Sequence, residues 1–305
     1  MKYRVEITRR NFILASGALT LFAPFSLWRE VFADSANSGS EDNQPITIQL
    51  GQTGESFVLA NGQDRVHVKR EPAGANFYKT RWSRNQLGVI KVDHSTHSFM
   101  IGDVMSCTGI EDMDFPQEGI SDFYFNIAIA TPEAIPHLEA RDRIFKLLHM
   151  LQAAGWRRYI EQSAPRLKGV AALEESIRQL GNYRLDPNYL PTLQEWMRLD
   201  DGTGWEFCAD GIYLTVEFWR DSQRMDPDKP GAYILSFELK TEDVNYRQGL
   251  DREERKRWWE LWPEYEKSAR HDRAEAEAKA RAQGLSIDTT YTDPPILALK
   301  RHASP

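Results

Sequence analysis

Asp93-His94-Ser95-Thr96-His97 holds the only close histidine pair in the chain. In a turn the two rings could share a metal ion or act as base for Ser95, whereas on a strand residues three apart face opposite ways. A closed metal site needs about four ligands and no further ligand is identifiable, so the stretch reads as a polar hairpin tip. The carboxylates of Glu111-Asp112-Met113-Asp114 have the chemistry for acid/base work or calcium, but not the ligand spacing of a calcium loop, and they read as a solvated acidic loop. No glycine-rich phosphate loop, Gly-x-Ser-x-Gly, Ser-x-x-Lys or Cys-x-x-Cys is present, so no catalytic residue, cofactor or metal ligand is assigned.

The elements that would position these groups are legible. Phe123, Phe125, Ile127 and Ile129 alternate as on a half-buried strand, and Thr131-Pro132 opens a helix with Ile144, Leu147, Leu148 and Leu151 on one stripe, stopping at Gly155. Trp205–Ala209 and Ile212–Trp219 flank Asp210-Gly211, which predicts a two-residue type I′ hairpin with Trp205, Phe207 and Ala209 opposite Val216, Leu214 and Ile212. Tyr233 to Lys240 predicts a further strand, capped into a helix by Thr241. Shifted by 110 residues, Phe123 to Thr131 falls on Tyr233 to Thr241 without gaps, the mark of two similar units. Val170 to Leu180 predicts a short helix on Leu173, Ile177 and Leu180. Leu250 to Gln283 reads as helical, restarted at Pro263, and solvated beyond its one aromatic stripe. Strands and helices alternate irregularly, so the fold class expected is α+β: antiparallel sheets with packed helices, two similar units and a long C-terminal helical segment. The units are expected over 46–165 and 166–305, behind a leader over 34–45.

Thr8-Arg9-Arg10-Asn11-Phe12-Ile13-Leu14, followed by an apolar run to Trp28, resembles the twin-arginine signal peptides of bacteria. Arg9, Arg10 and Phe12 carry the match, and Leu14 departs from its lysine. The apolar run is interrupted by Gly17 and Pro24, and Val31-Phe32-Ala33 suits cleavage between Ala33 and Asp34. The resemblance implies export of a folded chain to the periplasm, with no stable membrane span after cleavage. Residues 1–33 take a net +3 from a chain of −7 and leave −10. Such an acidic surface disfavours nucleic acid and anionic lipid, and favours a partner with a basic surface. Cys107 and Cys208 are the only cysteines, and in an oxidising compartment they form a candidate disulfide, two separate buried thiols being the alternative.

Among nine tryptophans, Trp258, Trp259 and Trp262 with Tyr265 form a stripe at helical spacing. It is a candidate partner-binding face, or else packs on the chain's own sheet. The passage from Leu147 to Trp156 resembles the helix-to-strand passage of immunity proteins of bacterial type VI secretion, which sit in the periplasm and block a toxic effector. The expectation is an exported protein that binds and inhibits another protein. The alternatives are a periplasmic hydrolase with a site near His94 and His97, and an assembly partner of an exported enzyme.

Overall fold

The computed structural model describes residues 44–71, 74–130 and 134–303. The twin-arginine motif, the cleavage position at Ala33 and Asp34, and the Thr131 cap all lie outside the described residues.

The chain is α+β, built on one ten-stranded, mostly antiparallel sheet. The strands are β1 (Ile46–Ile48), β2 (His67–Glu71), β3 (Ala75–Arg81), β4 (Gly88–Val92), β5 (Phe99–Asp112), β6 (Ile120–Ala128), β7 (Arg157–Arg158), β8 (Gly204–Ala209), β9 (Ile212–Arg220) and β10 (Tyr233–Thr241). The helices are α1 (Gly54–Asn61), α2 (His137–Ala153), α3 (Val170–Arg178), α4 (Leu193–Arg198), α5 (Glu242–Arg247), α6 (Arg252–Arg255), α7 (Trp258–Ala282) and α8 (Leu297–Ala303). The order β1-β4-β5-β6-β10-β9-β8-β7 places two antiparallel meanders, β4-β5-β6 and β8-β9-β10, back to back through their last strands. The second half of the long β5 pairs instead with β3, which carries β2. Residues 46–165 and 166–305 thus contribute to a single sheet. Across the β6–β10 seam Asn126 and Ser236 lie directly opposite each other.

One face of the sheet carries the core. Cys107, Phe125, Phe237, Val216 and Trp205 form one cross-strand row, with Phe125 and Phe237 stacked at 4.6 Å. The buried Ile144, Phe145, Leu148 and Leu151 of α2 and Trp196 of α4 belong to the same hydrophobic core, and Phe145 meets Trp205 edge-on. The β8–β9 hairpin has the predicted register, with Asp210 and Gly211 both at positive φ. Thr241 caps α5 through its side chain, as its type suggests.

Several expectations are corrected. Helix α2 starts at His137 with Pro136 at its N-cap, later than the start read at Thr131-Pro132. Leu180 lies past the end of α3 at positive φ and is exposed, while Leu173 and Ile177 pack on the core. Helix α7 runs through Pro263 unbroken, and the interruption falls upstream between α6 and α7. Aromatic packing on both sides of Pro263, from Trp258, Trp262 and Tyr265, outweighs the missing backbone donor. The second half of α7 is anchored, not merely solvated. Arg273 reaches the carbonyls of Ala164 (3.0 Å) and Glu161 (2.9 Å), and Glu277 accepts from Arg166 at 2.7 and 3.0 Å.

The candidate disulfide does not form in this fold. Both cysteines are free and buried. Cys107 on β5 faces the core with Phe125, while Cys208 on β8 faces the other way with Tyr159 and Tyr213. They are four strands apart, about 19 Å at normal strand spacing, and a disulfide tolerates no more than about 7 Å. Burial pushes both thiols up, Cys208 to about 12, which leaves them unreactive.

Candidate functional site

The other face of the sheet is polar, and its grid follows from the registers. One row across the strands reads Glu206, Thr215, Glu238, Tyr124, Thr108, Lys79 and His67, on β8, β9, β10, β6, β5, β3 and β2 in turn. The next row reads Gly204, Glu217, Ser236, Asn126, Ser106 and Arg81. A third, Cys208, Tyr213, Lys240 and Asp122, is buried beneath α5, where Tyr246 meets Tyr213 and Gln248 accepts from Lys240 at 3.1 Å. The first two rows carry mainly half-buried side chains.

Glu206, Glu217 and Glu238 surround Thr215. Glu217 accepts from Arg184 at 2.8 Å and Glu238 from the Tyr124 hydroxyl at 2.7 Å, with Lys240 3.5 Å from its other oxygen. The side chains of Glu217 and Glu238 keep 20% and 15% of their surface, so they are recessed yet reachable. Glu206 differs. Burial raises its carboxyl and Glu238 adds to the rise, while Lys240 and Arg184 oppose it only through space. The three glutamates stand against the two cations Lys240 and Arg184, an excess of negative charge that a cationic group from outside would neutralise. At the far end of the same face, Arg65, His67, Lys69, Lys79 and Arg81 line a shallow open depression of about 440 Å³.

Asp122 is buried beside this cluster and its carboxyl is pushed up to about 6, by burial first, with its hydrogen bond from Ser121 opposing. Its folded pKa lies above its unfolded one, so the native state holds the extra proton. Stability therefore rises as pH falls from about 6 towards 4 and is lost as pH rises through that window. Asp122→Asn is expected to flatten urea-unfolding stability over this window by up to about 2 kcal/mol. An unchanged pH profile would contradict the assignment.

Helix-end and turn contacts hold the histidine pair. His94 Nε2 bonds the carbonyl of Ala209 at 2.9 Å, and His97 bonds that of Ala154 at 3.0 Å and the Asp210 carboxylate at 3.2 Å. Trp156 packs on His94 and donates its indole N–H to the His97 carbonyl at 2.9 Å. Both rings thus pin the β8–β9 turn to the end of α2. Glu111 to Asp114 lie at and just past the far end of β5, roughly 40 Å from the histidines along an extended strand, so the structure does not bring the two groups together. There Asp112 pairs with Arg255, Asp114 with Arg252, and Glu118 with Arg247 at 2.5 Å, clamping α5 and α6 to the turn after β5. Among the described residues no three His, Cys, Asp or Glu side chains converge as a metal site requires. His97→Ala is expected to cost about 1 kcal/mol of stability in thermal unfolding and to leave metal content by mass spectrometry unchanged; metal lost with the ring would contradict this.

The tryptophan stripe folds inward. Trp258 and Trp262 are buried against Tyr246, Leu250 and Ala298, Trp258 donates to Asp243 at 3.1 Å, and Trp259 stacks on His302 at 3.9 Å. Only Trp259 and Tyr265 keep partial exposure as a docking face.

Comparison with family models, with curated proteins and with solved structures returns no match. The site therefore rests on its geometry. Sequence reading missed it because Tyr124 reaches Glu238 only through the β6–β10 pairing, 114 residues apart, and Glu206 and Glu217 join them only once β9 pairs with β10. Its one local signal was alternation, which placed Glu206 and Thr215 on the non-core face of the predicted hairpin.

Proposed function

We propose that this chain is an exported periplasmic protein that binds another protein through a basic surface on that partner and inhibits it by occlusion, as immunity proteins do. The observation that carries this reading is the recessed cluster of Glu206, Glu217 and Glu238 on the polar sheet face beside α5. An enzyme site needs a nucleophile or base aimed into a water-excluding cleft, and the polar groups here converge on an open surface instead. Carboxylates held short of full neutralisation attract a lysine or arginine side chain and speed its approach at low salt. No described helix is long and apolar enough to cross a membrane, compatible with a chain released after cleavage at Ala33. The twin-arginine motif supports delivery to the periplasm.

Affinity capture by the chain from periplasmic extract, at low and at moderate salt with mass spectrometry of what is retained, tests the reading. A stoichiometric partner with a basic surface, lost as salt rises, is expected. Capture that yields nothing at low salt, from a chain carrying a bound small molecule, would overturn it.

A further inference from the structure

We propose that the outer edge of β2 takes an extended acidic segment of another protein as an added strand, with carboxylates beside His67 and Lys69 and an apolar side chain beside Val68. This site stands apart from the glutamate cluster and does not depend on it.

A sheet edge presents N–H and C=O groups that no strand satisfies, and two ends of this sheet are closed or cut short. At β1 the Asn61 side chain takes both backbone groups of Thr47, accepting from its N–H at 2.7 Å and donating to its carbonyl at 2.9 Å. At the other end β7 is only two residues long. β2 differs. It runs for five residues, and among the described residues its only strand partner is β3. Every second residue of β2 therefore turns its N–H and C=O away from the sheet, which is the template that strand addition uses.

The side chains decide which strand fits. His67 and Lys69 stand exposed on the polar face, with Lys79 directly across from His67 and Arg81 two residues further along β3. With Arg65 they line the depression of about 440 Å³ along β2 and β3, against the carboxylate of Asp64. On the opposite side of β2, Val68 packs on the core. A strand laid about 4.8 Å beyond β2 sets its alternate side chains beside these same residues. Carboxylates on its polar side then meet His67 and Lys69, and an apolar residue between them extends the core past Val68. Lysine and arginine on an edge discourage pairing with a neutral or basic strand, and the same charges favour an acidic one. A nucleic acid or an anionic polysaccharide would meet the charges but leave the outward backbone groups unused.

Isothermal titration of the purified chain with a blocked heptapeptide alternating glutamate and valine tests this. Expected is binding at about 10–100 µM in low salt, weakened at moderate salt, with slowed exchange of the outward β2 amides by NMR. Lys69→Glu, at an exposed position, should weaken it tenfold or more and admit the peptide that alternates lysine and valine. The glutamate peptide N-methylated at every residue keeps its charge but cannot pair, and should not bind. Equal binding of the N-methylated peptide, or of a single-stranded oligonucleotide of the same charge, would reduce the site to bare charge attraction and overturn the inference. Outward β2 amides already protected in the free chain would also overturn it, by placing the chain's own leader or a second copy on the edge. Capture of a basic partner by the glutamates would survive either failure, so the two readings fail separately.

Discussion

Phe237→Ala is expected to lower the free energy of unfolding by about 3–5 kcal/mol, the largest loss of any single substitution considered, as read by urea denaturation. The ring is 1% exposed and stacks on Phe125 at 4.6 Å, at the seam where the two meanders meet. Truncation leaves a cavity in the middle of a continuous sheet, where neither flanking strand can move in without breaking its own ladder. The control is Ser236→Ala, one residue along on the polar face, which loses a hydrogen bond to Asn126 and should cost about 1 kcal/mol. Equal costs at the two positions would mean that the seam is not where the core is centred.

Glu206→Lys is expected to reduce affinity for the basic partner by 10- to 100-fold, chiefly through a slower association rate and a shallower salt dependence. Glu206→Gln should show a smaller loss of binding together with a gain in stability of about 1 kcal/mol in thermal unfolding. The two effects have one cause. Glu206 is held in a site that raises its carboxyl, with Lys240 and Arg184 acting only at a distance, so its charge costs the free fold and benefits the complex. Loss of stability in Glu206→Gln would make the carboxylate structural and remove it from the binding face.

The sequence made local elements legible and left their assembly hidden. The β8–β9 hairpin was readable to the residue, because apolar alternation on both strands and Asp210-Gly211 between them all require one register. Thr241 announced a helix start through its own chemistry. Apolar patterning could not find Arg273 and Glu277, which bind carbonyls and a guanidinium from the 160–166 segment, since a buried charge has the same sequence signature as a solvated one. Nor could it place Glu238 beside Tyr124, a contact 114 residues apart that exists only because β6 and β10 are neighbours. The tryptophan stripe misled for the opposite reason. Its spacing gave the correct helix face, but the covering elements, α8 and Tyr246, come from segments with little apolar patterning of their own. The cysteines show how sequence separation says nothing about which face of a sheet a residue occupies.

Carboxyl footprinting with a water-soluble carbodiimide, comparing the free chain with its complex with the captured partner, tests the central claim most directly. The account predicts that labelling of Glu206, Glu217 and Glu238 falls together on binding while exposed carboxylates such as Asp210 and Glu253 are labelled as before. Unchanged labelling of the three glutamates, with protection appearing instead around Trp259 and Tyr265, would move the binding surface to α7 and contradict it.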